Sequence, residues 1–265
     1  AECMRNLACS GAKALAVTDN LNFANPNKSE TYHMLKECVT GLADACSFFD
    51  VPVVGGNVSL YNEHGKGAID PTPVVSMVGL IEKAEEVTGS FLSGEGESIV
   101  LLGGLPHELG ASYYLQTQFG KKEGRVPEID LESEKKVQEF LLSQISQGSV
   151  RAAHDLSEGG LLVALAEMLF DKNEIGMSVA IDSLGNSGRL DALLFGESQS
   201  RILVSVSDEG EFIRSAEQAG VSAQVIGCSD LTGRFKVSID GSEILDANVS
   251  GLREKWSQAI PEIMR

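Results

Sequence analysis

Residues 29–49 carry the pattern that most narrows what this chain can fold into. Tyr32, Leu35, Val39, Leu42, Cys46 and Phe49 follow one another at steps of 3, 4, 3, 4 and 3, the spacing that lines one face of an α-helix. Short apolar runs flank it at residues 14–18 and 51–54, of a length that suits buried strands. Strand, helix, strand in that order predicts an α/β arrangement. Ser29 is the expected cap of the helix, with Glu30 in its first turn. A further strand is expected at 74–81.

Residues 1–10 read as a helix, with Met4, Leu7 and Ala8 apolar at helical spacing and Gly11 as its stop. No initiator Met and no capping residue precede it, so the chain is expected to begin inside an element of something longer. The segment SFLSGEGE at 90–97 is rich in Gly, Ser and Glu and is expected to link two subdomains. Beyond it, strands are expected at 98–103, 177–181, 202–206, 221–227 and 235–239. Helices are expected at 133–146, 157–170, 209–219 and 249–264. No internal repeat or low-complexity tract is visible.

A length of 265 residues suits one large domain or two smaller ones. Hydrophobic residues make up 43% and charged residues 22%, and the mean hydropathy is +0.01, which describes an ordinary globular protein. Lys and Arg total 21 against 38 Asp and Glu, a net charge of −17. So acidic a surface repels a phosphate backbone and excludes a generic coat for nucleic acid. It still allows a nucleotide held locally by glycines and a metal. No run nears the ~20 apolar residues of a membrane span, and no secretory signal is visible. The five cysteines, Cys3, Cys9, Cys38, Cys46 and Cys228, are odd in number and lack C-x-x-C spacing. That argues against zinc or a disulfide framework and predicts buried or half-buried thiols in a reducing cytoplasm.

Four segments could carry chemistry. In TDNLNF, Asp19 ends a strand and is followed by Asn20 and Asn22; these oxygens suit Mg²⁺ or nucleotide hydroxyls, or else an Asx turn in a loop over 19–26. In VVGGNVSLYNE, Gly55 and Gly56 would interrupt a strand and let backbone approach a phosphate. Asn57 and Ser59, two apart, would share one side of an extended segment. In HDLSEGGL, Asp155 or Ser157 would cap a helix whose first turn, at Gly159 and Gly160, is open to an anion, or simply well capped. FGESQSR is a polar loop before a strand, binding a ligand or forming a turn with Arg201 in a weak surface pair. His33, His64 and His107 have no spaced partner. No nucleophile elbow, H-E-x-x-H or G-x-G-x-x-G occurs.

TDNLNFANP, PVVGGNVSLYNE, PTPVVSMVGLIE and AHDLSEGGLLVALAEM occur in that order. Together they resemble phosphoribosylformylglycinamidine synthase subunit II, the large synthetase component of purine biosynthesis. The fourth motif is shared with aminoimidazole ribonucleotide synthetase, selenophosphate synthetase and hydrogenase-maturation proteins. The resemblance implies the second of two copies of a domain pair. Residues 1–90 would be the remainder of an aminoimidazole-ribonucleotide-synthetase-like N-terminal domain, and 97–265 a complete C-terminal α/β domain. It also implies ATP and Mg²⁺ as cofactors. Its reaction activates the amide oxygen of formylglycinamide ribonucleotide with ATP, and ammonia then displaces phosphate to leave an amidine.

By motif, the resemblance makes Asp19 and Gly56 contacts to ATP, Asn57 a Mg²⁺ ligand and Ser59 a substrate contact. Asp155, Glu197, Ser198 and Gln199 would belong to a pseudo-symmetric second site. No catalytic residue is implied, because the family's catalytic histidine lies in the first half. The implied partners are that N-terminal half, a glutaminase subunit and a small accessory subunit, with a homodimer of this chain as a further possibility; neither nucleic acid nor membrane is implied. Ala24 stands where the family usually has Gly. The rival readings are a stand-alone synthetase of the same superfamily, against which TDNLNF and GGNVSLYN argue, and a non-catalytic nucleotide-binding or scaffolding module.

Overall fold

The computed structural model describes residues 1–65, 67–105, 108–171, 175–182 and 189–264. His107 lies outside the described residues. Helix α1 (Glu2–Cys9) ends at Gly11, whose φ of 85° suits a residue without Cβ. A Cβ there would meet Glu86 O at 2.1 Å. Strand β1 (Lys13–Asn22), helix α2 (Ser29–Phe49) and strand β2 (Val53–Ser59) form a unit in which β1 and β2 run parallel. After the small hairpin of β3 (Glu63–His64) and β4 (Gly67–Ala68), strand β5 (Thr72–Leu80) pairs antiparallel on the other side of β1. The sheet order is β2-β1-β5.

Four expectations change in this unit. Asp19, Asn20, Leu21 and Asn22 belong to β1 and not to a loop, because both neighbouring strands bond to them; pairing on two sides overrides their turn-forming composition. β2 likewise passes straight through Gly55 and Gly56, which pair with Thr18 and Asp19. Lys28, not Ser29, is the N-cap of α2, and no side chain bonds there. The inward face of α2 keeps four members of the expected stripe, Leu35, Leu42, Cys46 and Phe49, and departs from it at two. Tyr32 and Val39 are exposed, while Thr31, Leu35, Cys38, Leu42 and Cys46 are buried or half-buried. A three-stranded sheet covers only a narrow stripe of so long a helix.

Residues 90–97 are tied down and do not hang as a free linker. Leu92 is buried, its N–H bonds Met168 O at 3.0 Å, and Glu97 N–H bonds Ser229 Oγ at 2.9 Å. The second unit then runs β6 (Ser98–Leu102), α3 (Tyr113–Phe119), α4 (Leu131–Ser146), β7 (Val150–Asp155) and α5 (Gly160–Glu167). It continues with β8 (Gly176–Ile181), α6 (Leu190–Phe195), β9 (Ile202–Val206) and α7 (Glu209–Ala219). It closes with β10 (Ala223–Asp230), β11 (Arg234–Ile239), β12 (Ser242–Asn248) and α8 (Val249–Ile263). Seven strands form one sheet in the order β12-β11-β8-β10-β6-β9-β7, antiparallel except for β8 and β11.

Alternation along β6 shows how that sheet divides its core. Ile99 and Leu101 pack on the side of α5, α6 and α8, while Val100 and Leu102 pack on the side of α4 and α7. Ala8 and Cys9 of α1 join the second cluster, so the first helix is buried against the second unit. The whole is a mixed α/β protein. Among the described residues no helix is long and apolar enough to cross a membrane. All five cysteines are free; Cys228 is exposed, against expectation, because it faces outward on β10.

Candidate functional site

β1 and β2 set the first two motifs side by side, with Asp19 opposite Gly56, Asn20 opposite Asn57 and Asn22 opposite Ser59. Facing residues of a parallel pair share a side of the sheet, and successive residues alternate. Asp19 therefore lies with Gly56 on the side of Val17, which lines a cavity of about 490 Å³ with residues of α1 and α2. Asn57 and Ser59 lie with Asn20 and Asn22 on the opposite, open face. The sheet thus stands between Asp19 and Gly56 on one side and Asn57 and Ser59 on the other. Gly56, Asn57 and Ser59 lie on β2, an edge strand of its sheet, with Asp19 beside it on β1; the outer backbone groups of such an edge are free to bond a ligand.

Each motif residue has a definite setting. A Cβ on Gly56 would fall 2.3 Å from Asp19 Oδ1, so the missing side chain gives the carboxylate its place. Asn57 Nδ2 donates to Asn20 Oδ1 at 3.0 Å. Ser59 is held by Asn62, whose Nδ2 donates to Ser59 O at 2.9 Å and to Phe23 O at 3.2 Å. Phe23 N–H in turn bonds Ser59 O at 3.0 Å, and Tyr61 N–H bonds Ala24 O at 3.2 Å. Ala24 is buried, and its φ is not positive, so its methyl needs no strained backbone. Lys28 closes the loop by an ion pair of 2.7 Å to Glu63, and that bond holds the Glu63 carboxyl below its ordinary range.

No group of three or more His, Cys, Asp or Glu that could hold a metal occurs among the described residues. Asn57 Oδ1 is a single neutral oxygen. Such a donor can complete the shell of Mg²⁺ carried by nucleotide phosphates, but cannot hold a bare ion. His33 and His64 are exposed, and His154 sits between Asp155 O and the Glu167 carboxylate.

The second pair of motifs does meet, with its polar atoms turned inward. Glu197 Oε1 accepts from Gly159 N and Tyr113 N, both at 2.9 Å. Gln199 Oε1 accepts from Arg5 Nη2 at 2.9 Å, and Ser198 Oγ donates to Glu108 at 3.3 Å. Asp155 accepts from the Asn6 amide at 2.8 Å, and burial raises its pKa. Neither Asp155 nor Ser157 caps α5: the cap is Gly159, at a φ of 79°. Arg201 is no surface pair; it is 1% exposed and donates to Gly196 O and Ser198 O, with burial lowering its pKa to about 10.

Sequence reasoning missed the group that joins the two units. Arg5 and Glu134, both fully buried, form an ion pair of 2.7 Å, and Ser200 Oγ and Gln138 Nε2 donate to the same carboxylate. An Arg among the apolar positions of a first helix was the available signal.

Residues 94–240 match the AIR synthase related protein C-terminal domain, and residues 1–81 the N-terminal domain of the same family. The chain belongs to the AIR synthase related family. It is 43% identical over 259 residues to phosphoribosylformylglycinamidine synthase subunit PurL of Caldanaerobacter subterraneus subsp. tengcongensis, covering 97% of this chain and 34% of that relative. The chain thus spans about a third of the length of such relatives. In fold it is similar to T. maritima PurL complexed with ATP, with a TM-score of 0.73 at 22% identity over 94% of this chain and 39% of that one. The same protein complexed with FGAR gives a TM-score of 0.75 at 20% identity, covering 94% and 41%. Both AIR synthase related domains are therefore represented in this mixed α/β chain.

Proposed function

We propose that this chain works as the second half of an ATP-dependent carbon–nitrogen ligase of purine biosynthesis. Its reaction converts formylglycinamide ribonucleotide and glutamine-derived ammonia to the amidine. The observation that carries this reading is the parallel register that places Asp19 against Gly56 and Asn57 two residues from Ser59 along one free strand edge. Residues 1–90 then act as the N-terminal and 97–265 as the C-terminal domain of this half. Likeness to PurL, known complexed with ATP and with FGAR, supports the choice of ligands.

In this reading ATP lies along the edge of β2. Asp19 and Gly56 meet it from the helix side, with the glycine letting a phosphate approach the backbone. Ser59 donates to the ribonucleotide from the open face. Mg²⁺ bound with the nucleotide offsets phosphate charge, and Asn57 is the chain's oxygen for it. The wall opposite, with the acid–base group, comes from the N-terminal half that the relatives carry. A glutaminase subunit supplies ammonia, and a small accessory subunit completes the assembly. A misplacement of about 1 Å in such a site can cost ~10²-fold in rate, so one wall alone does not turn over.

The test is ADP formation with ATP, Mg²⁺, formylglycinamide ribonucleotide and ammonium. The purified chain alone is expected to give none, and addition of the N-terminal half to restore it. Ribonucleotide-dependent ADP from the chain alone would overturn the reading.

A further inference from the structure

We propose that Asn20 sets the polarity of Asn57, turning the amide so that its oxygen and not its NH₂ is offered to the ligand; this rests on Asn57 being a ligand residue, as read above. An asparagine amide has a donor end and an acceptor end. The donor end suits a bare phosphate and the acceptor end a cation that accompanies one. Which end is offered therefore decides what the site takes.

Asn57 Nδ2 donates to Asn20 Oδ1 at 3.0 Å. The two are direct register partners on the open face, and Val74, on the far side of Asn20, brings no competing polar group. The Asn20 backbone is itself fixed, because β2 and β5 pair with it on both sides and its carbonyl accepts from Asn22 Nδ2 at 3.2 Å. Asn57 Oδ1 is left without a protein partner among the described residues. With the Asn20 amide held as it stands, turning the Asn57 amide over would set two carbonyl oxygens against each other. Asn20 is thus a positioning residue: it acts on the ligand through Asn57.

Two readouts test this. In the ¹⁵N-labelled chain, the side-chain NH₂ of Asn57 is expected to show slowed exchange and a shift away from free asparagine. Asn20→Asp, which can only accept, keeps that signature; Asn20→Ala loses it. Asn20→Asp also adds a charge that alters nucleotide affinity by itself, so polarity is read from NMR alone. In the chain paired with the N-terminal half, Mg–ATP is expected to bind about 10-fold more weakly to Asn20→Ala, the usual loss when a ligand's supporting partner is removed. Loss of the signature in Asn20→Asp means that Asn20 is the donor and overturns the proposal. So does unchanged affinity in Asn20→Ala when Asn57→Ala binds weakly. Unchanged affinity in Asn57→Ala overturns the ligand reading itself and this inference with it.

Discussion

Asp19 occupies the space that a side chain at position 56 would need. A Cβ on Gly56 would stand 2.3 Å from Asp19 Oδ1 and 3.0 Å from both Asp19 Cγ and the Asp19 carbonyl oxygen. The glycine of one motif and the acid of the other are therefore one feature, joined by the register of β1 and β2.

Gly56→Ala is expected to push the Asp19 carboxylate aside and to cost about 1 kcal/mol or more, the low end for overpacking, because the side chain can move. Asp19→Ala removes most of the clash, so the double variant is expected to be more stable than the sum of the singles predicts. Urea unfolding of all four proteins measures the coupling. Strict additivity would show that the two residues do not meet in solution.

The pH dependence of Asp155 has a definite sign. Burial raises its pKa above the ordinary 3.8, although His154 and Arg5 act to lower it. The folded state then holds the proton more tightly than the unfolded chain. Its contribution to stability is complete below the unfolded value and is lost as pH rises through the folded one. Asp155→Asn keeps an acceptor for Asn6 and removes the charge. The stability of the wild type relative to that variant is expected to fall as pH rises from about 4 and to level off once Asp155 is ionised. A difference that rises over the same range would overturn this account.

How much of this was legible in the sequence depended on whether period or pairing decided the structure. Residues 209–219 and 202–206 matched their elements because their patterns are complete. α6, with 6 residues, is too short to display a helical period. β7 ends in His154 and Asp155, and β12 is a polar edge, so neither reads as a buried strand. Asp19, Asn20 and Asn22 carry turn chemistry and became strand because two neighbours pair with them, which no local pattern encodes. The motifs picked out residues that the register of β1 and β2 sets side by side, Asp19 with Gly56 and Asn20 with Asn57. Alternation along β2 puts Gly56 and Asn57 on opposite faces, a fact that requires knowing that β2 does not stop at its glycines. Arg5 meeting Glu134 across the two units lay wholly beyond local reading.

The open face of the first sheet is expected to make the isolated chain self-associate. Val74 and Val78 on that face are 47% and 65% exposed, and Val53 on the edge strand is 49% exposed. Apolar side chains exposed in this way favour association. The net charge of −17 opposes it, so association should strengthen with salt as repulsion is screened. Sedimentation equilibrium is expected to show a dimer or larger species, and Val74→Asp with Val78→Asp a monomer. A wild-type chain that stays monomeric at high concentration and in high salt would contradict this.

Glu197 is expected to act as a clamp between two backbone segments. One oxygen accepts from Gly159 N, at the start of α5, and from Tyr113 N, at the start of α3. The first N–H groups of a helix lack partners within it, so a carboxylate is favoured at both places. Tyr114 stacks on Phe195 with ring centroids 4.7 Å apart, which holds α3 beside the same loop. Glu197→Ala removes the acceptor and leaves both amides unpaired, whereas Glu197→Gln keeps an oxygen and loses only the charge. Charge-assisted bonds of this kind contribute about 1.5–3 kcal/mol. Amide exchange at Tyr113 and Gly159 is therefore expected to quicken by ~10-fold or more in Glu197→Ala, and to a smaller degree in Glu197→Gln. Exchange elsewhere, as at Val204 in the middle of β9, should hardly change. If Glu197→Ala left both amides as protected as in the wild type, the carboxylate would be a bystander at both helix starts.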